Sequence, residues 1–302
     1  MKKLRLPVVL LCLAFFALPL YSAFNPAYSD YLFYNMRSYE EDFAYLNEEL
    51  PGAKDNREKA DILWRLSRTQ LTLTDYNVSP SDKDKRLNEY QKSWDLAKES
   101  LQTEKTADGY HWLASAMGRW GQTKGPLNAL GKADEMRSYC HIVQNDFKAD
   151  MSDNWYVLGV LYKSLPGSIS FGNSDYAISY MRRCLDTQDT KNRLNLTNYL
   201  ELSNQLYDRN WKASKREKEF DKMKKSYEKE TVPTEKMKYY EGKGGSNAVM
   251  YYSTVPQKAL SDRQEAVMLL RYGKLIYEMT QNPLSLDTAV YEKIVARLNE
   301  IT

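Results

Sequence analysis

Two histidines and three cysteines among 302 residues leave little material for metal or nucleophile chemistry. His111 and His141 belong to no spaced ligand set. No Ser/His/Asp order or isolated carboxylate pair stands out, so the sequence makes no case for an enzyme or a cofactor. The stretch Gly242-Lys243-Gly244-Gly245-Ser246 lacks the G-x-x-x-x-G-K-[ST] spacing and the buried strand that a phosphate loop requires. Strand-like alternation is scarce, and the ten prolines and thirteen glycines fall mostly between periodic segments. That pattern excludes a β-rich fold and predicts an all-α one. Excess charge is missing too. The first 23 residues hold Lys2, Lys3 and Arg5 and no acid, so without them the formal charge falls from +3 to zero. A neutral net balance gives no electrostatic reason to bind nucleic acid, and none to bind an anionic membrane either.

What is present begins with an export pattern. A basic lead is followed by the apolar stretch from Leu6 to Leu20, and Ser22 and Ala23 offer a cleavage point. The reading is a cleavable signal over residues 1–23 and a periplasmic mature chain. Pro19 and Pro26 argue against a membrane span. Cys12 follows Leu11, not the small residue a lipid-modified start needs. Of the remaining cysteines, Cys140 and Cys184 sit on apolar helix stripes. Both are read as buried thiols, with pairing left open in an oxidising compartment.

Helical periodicity covers about 29–49, 56–74, 83–103, 107–121, 127–147, 153–164, 174–186, 193–208, 212–229, 261–280 and 285–300. One stretch reads as a known unit. Trp155-x-x-Leu158-Gly159-x-x-Tyr162, followed by Ala177-x-x-x-Met181-x-x-Cys184, resembles the tetratricopeptide repeat (TPR). Gly159 and Ala177 are the small residues that let two helices approach. Such a pair buries its apolar stripe only by stacking on others. Weaker copies begin at Leu63, Tyr110 and Tyr199, with Tyr90/Trp94/Ala97, Met136/Cys140/Val143 and Phe220/Met223/Tyr227 as the inward residues of their second helices. The expected fold is therefore a TPR-like α-solenoid of about four degenerate helix pairs over residues 24–230. Residues 231–260 form a Tyr/Gly-rich insertion, either a hairpin or a loop, and residues 261–302 are capping helices of the same domain. Residues 212–238 carry ten basic and six acidic residues with interspersed signs, the pattern of a solvated face.

Residues 57 to about 225 resemble the T component of TRAP transporter systems. The resemblance is carried by Leu63-Trp64-Arg65-Leu66-Ser67-Arg68, by His111-Trp112-Leu113-Ala114 running into Gly118-Arg119-Trp120-Gly121, and by the Leu165-Pro166-Gly167 turn with Gly172. It implies an exported helical protein that forms a homo-oligomer, docks a solute-binding protein and offers a hydrophobic cavity to a small ligand. The missing lipidation site departs from the family pattern. A structural scaffold for cell-envelope assembly remains the alternative.

In such a superhelix the stripe opposite the core lines the concave face, at −2, +1, +5 and +8 from each stripe's first residue. The candidate partner- or ligand-binding residues are Trp64 and Arg68, His111 and Ser115, Tyr156 and Lys163, and Asn204 and Tyr207. Arg119, one position beyond this frame, is the basic residue to test first.

Overall fold

A computed structural model describes residues 24–302 except 126, 127, 129 and 191–193. The expected leader lies outside the described residues. The fold is all-α, and its only β feature among the described residues is an isolated antiparallel bridge between Val249 and Pro256.

The helices start where the sequence supplies caps. Asp55, Asp82, Thr106 and Asn173 each accept a backbone N–H of the first turn, opening α3 (Asn56–Asn77), α4 (Lys83–Thr103), α5 (Ala107–Lys124) and α8 (Ser174–Thr187). Before them lie α1 (Pro26–Asp30), a π-helical turn Tyr31–Met36, and α2 (Tyr39–Glu49). The uninterrupted run expected over 29–49 is thus broken at Arg37, whose φ of 55° ends the first segment. Between α5 and α8 come α6 (Ala133–His141) and α7 (Ser152–Ser164).

Successive helices pack as antiparallel neighbours through small residues. Ser67 and Ser93 exchange hydroxyl-to-carbonyl bonds of 2.7 and 2.8 Å between α3 and α4. Tyr90, Ser93, Ala97 and Ser100 form the buried stripe, so Tyr90 and Ala97 face inward as expected, whereas Trp94 lies at its edge and is only partly buried. Between α7 and α8 the approach depends on Gly159. A Cβ there would sit 2.7 Å from Met181 Sδ and 3.3 Å from the Ala177 carbonyl. Trp155, Leu158 and Tyr162 are buried in the same core, with Trp155 stacked on Tyr180 at 5.8 Å. The turn that follows is equally tight, since a side chain on Gly172 would collide with the Leu165 carbonyl. Cys140 and Cys184 are free and buried, and burial pushes the Cys140 thiol well above its ordinary value.

The fourth pair corrects the expectation. Helix α9 (Leu196–Arg209) packs on α12 (Asp262–Glu278), where the Ser203 hydroxyl donates to the Ala266 carbonyl at 2.9 Å. The helix α10 (Ala213–Lys229), carrying Phe220, Met223 and Tyr227, was expected in that place. It belongs instead to an excursion over residues 211–260 that also contains α11 (Pro233–Met237). Only α13 (Ser285–Ile301) remains as a cap. The stripe on α10 does face inward, packing on the excursion's own 257–259 turn and α11, with Tyr227 against the main core. Spacing identifies a buried face and not what covers it.

A buried ionic cluster docks the excursion. Arg182 on α8 grips Glu265 on α12 bidentately at 2.6 and 2.8 Å, and Arg216 and the Tyr252 hydroxyl reach the same carboxylate at 2.6 and 2.7 Å. The two guanidiniums hold Glu265 far below the usual carboxylate range despite burial. Farther along, the Tyr180 hydroxyl donates to the Thr234 carbonyl at 2.9 Å.

Candidate binding face

The predicted face divides in two, because the N-terminal segment covers its beginning. Arg68 is fully buried: it pairs with Asp30 at 2.7 Å and Asp42 at 3.4 Å and lies 3.9 Å from the Phe33 ring centroid. Trp64 is buried as well, its indole N–H donating to Asp61 and its ring covered by the Arg65 guanidinium at 4.0 Å. His111 is 2 % exposed and edge-on to Trp112. These three, expected on an open surface, are interior residues. Helices α1 and α2 pack against α3 and cover the side that carries Arg68.

Burial also acts on the carboxylates nearby. Asp108 is raised from its ordinary pKa by desolvation, with His111 and Arg65 pulling partly the other way. Asp30 experiences the same desolvation, but its bonds to Arg65 and Arg68 outweigh it and lower its pKa.

Past this plug the face opens. Arg119, near the end of α5, keeps 49 % of its side chain exposed while pairing with Asp75 of α3 at 3.1 Å. Desolvation acts against its charge, but Asp75, then Tyr156 and Tyr90, hold its pKa raised. Tyr156, at the start of α7, is partly buried; desolvation and then Glu201 push its phenol up to about 12, with Arg119 opposing. Tyr156 of α7 thus lies within electrostatic range of both Arg119 of α5 and Glu201 of α9. Ser115 is partly buried on α5. Lys163 is tied to Asp208 at 2.7 Å. Farther on, Asn204 accepts from Arg297 at 3.1 Å, and Tyr207 sits between the guanidiniums of Arg263 and Arg297, each 4.5 Å from its ring.

No protein-family model matches the chain, and no curated protein or solved structure does either. The site therefore rests on its own geometry.

Sequence reasoning missed Glu201 and Arg297. Glu201 lies one step outside the −2, +1, +5, +8 frame, and a wider frame would have caught it. Arg297 comes from α13, 93 residues beyond Asn204, and no local pattern announces it. Two concavities lie elsewhere. One of about 370 Å³ sits at the seam between residues 34–37 and 280–287, bridged by Arg37 to Asp287 at 3.0 Å; the other, about 160 Å³, lies beside Trp211 and Tyr176. Neither is lined by Arg119, Tyr156 or Glu201. Among the described residues no group of three or more His, Cys, Asp or Glu side chains is arranged to hold a metal ion. No described helix is long and apolar enough to cross a membrane.

Proposed function

We propose that the chain is an exported, non-enzymatic TPR-like binding protein. Its inner face over α5, α7 and α9 docks a protein partner. The observation that carries this reading is the placement of Tyr156 within electrostatic range of both Arg119 and Glu201, with Arg119 half open to solvent. Side-by-side groups of opposite charge around a phenol suit a polar polypeptide surface. They recognise it by charge-assisted hydrogen bonds, which reward a matched partner and penalise a mismatched one. The sequence resemblance to TRAP T components makes a solute-binding protein the first partner to test, with a small hydrophobic ligand as a second occupant. A homo-oligomer is part of the same reading.

The second reading is a scaffold for cell-envelope assembly. It is favoured by the one part of the inner face already filled, since the occupant of the α3 groove is a polypeptide segment held by Arg65 and Arg68.

The decisive experiment is affinity capture from envelope extracts with the wild type, Arg119→Ala and Glu201→Gln. Recovery of a solute-binding protein or permease subunit, lost in both variants at unchanged melting temperature, supports the transport reading. Recovery of neither, or equal recovery with the variants, overturns it. Native mass spectrometry separates the readings further, because only the transport protein should retain a small ligand.

A further inference from the structure

The charges of α10 look interspersed in sequence, but the helix sorts them. Lys215, Lys218, Lys222, Lys225 and Lys229 are spaced 3, 4, 3 and 4 apart, and all five are exposed. At 100° per residue they occupy roughly 80° of arc and span about 21 Å. Arg216, Phe220, Met223 and Tyr227 form the inward face nearly opposite. Glu217, Asp221 and Glu228 lie on a third stripe, where Lys224 approaches Glu228 at 4.0 Å. Within the lysine row, Lys222 is bonded to Glu219 at 2.9 Å and Lys215 lies 4.3 Å from the Trp211 ring centroid. No carboxylate among the described residues lies within ion-pair distance of Lys218, Lys225 or Lys229.

We propose that this lysine row seats the protein on an anionic lipid bilayer surface. A plane can touch one straight stripe of a helix along its whole length. Ammonium groups suit it because they act as point charges without the planar fork of a guanidinium, so they need no particular headgroup geometry. A protein partner would normally bring an apolar centre to its interface. The lysine row contains no exposed large apolar side chain to meet one. Attraction to anionic headgroups needs only charge and decays within a Debye length, about 8 Å at physiological salt. The proposal is independent of the inner-face reading, because it uses the opposite side of a helix outside the paired stack.

Co-sedimentation of the purified chain with vesicles tests it. Equal parts phosphatidylcholine and phosphatidylglycerol should retain the protein at low salt, whereas phosphatidylcholine alone should not. Each lysine near such a surface strengthens binding about fivefold, so Lys218→Glu/Lys225→Glu/Lys229→Glu should lose at least about a hundredfold. The control Lys83→Glu/Lys85→Glu/Lys98→Glu makes the same change in net charge at exposed positions on α4 and should still bind. All substituted side chains are exposed, so circular dichroism should show the fold retained. The proposal fails if the wild type stays in the supernatant with anionic vesicles, or if the two triple variants behave alike. Stripe-dependent binding to polyglutamate without vesicle binding would also overturn it, in favour of an acidic protein.

Discussion

Arg68→Ala tests whether the first part of the inner face is sealed. In the structure Arg68 is fully buried and joins three elements: Asp30 of α1, Asp42 of α2 and its own helix α3. Removing it leaves Asp42, itself fully buried, with only the hydroxyls of Ser29 and Thr69, each 2.6 Å away. A buried carboxylate stripped of its cation costs about 3–5 kcal/mol. An exposed binding-face arginine would cost no more than about 1 kcal/mol. Urea titration followed by circular dichroism measures the difference. Adding Asp42→Asn to Arg68→Ala should recover part of the loss, because the orphaned charge disappears and the two changes are coupled. Hydrogen exchange should show protection lost first in residues 24–49. A destabilisation below about 1 kcal/mol, or a double variant no better than the single, would refute the plug and return Arg68 to an open face.

Other outcomes follow from the same packing. Trp155→Ala should cost about 3–5 kcal/mol by chemical denaturation, because a large core aromatic is truncated beside Tyr180; a loss under 1 kcal/mol (roughly the surface-substitution range) would mean its stacking is misread. Gly159→Val should cost about 1–3 kcal/mol, since Met181 can shift but the Ala177 carbonyl cannot; an unchanged midpoint would mean α7 and α8 are not in close contact. Glu241 is raised from 4.5 to about 7 by burial, with Ser246 and Arg182 opposing. Its protonated form is the one the fold favours, so its contribution is full below pH 4.5 and is lost as pH rises through about 7. Subtracting the pH profile of Glu241→Gln from that of the wild type isolates this slope from the opposite one of His141, which burial lowers to about 4. A flat difference between pH 4.5 and 7 would contradict the burial of Glu241.

Much of the secondary structure was legible because it is local. Helix α4 occupies the residues that periodicity predicts, and Trp155, Leu158 and Tyr162 are core as their spacing requires. What escaped was non-local. The covering of Arg68 depends on Asp30 and Asp42, which are 38 and 26 residues away. An aspartate on an N-terminal helix does not disclose which arginine it will meet. The fourth pair escaped for a related reason. Helices α10 and α12 both present an apolar stripe, and chain order favoured the nearer. The deciding contacts, Ser203 to Ala266 and Arg182 to Glu265, span 63 and 83 residues. Of the candidate face, Tyr156 follows from the core stripe of α7, whereas Arg119 lies one position beyond the frame on α5. Glu201 and Arg297 required the packed structure.

The contact between Arg37 and Asp287 joins residues 250 positions apart. Stacked helix arrays can usually lengthen by adding a unit at an end, and they behave as springs because each layer touches only its neighbours. Here Arg37, just before α2, is fastened to Asp287 of α13, with Tyr76 of α3 close enough to feel the charges of both residues. Segments 34–37 and 280–287 therefore hold one another in place, although nearly the whole chain lies between them. They should gain or lose hydrogen-exchange protection together, and Arg37→Ala should loosen both.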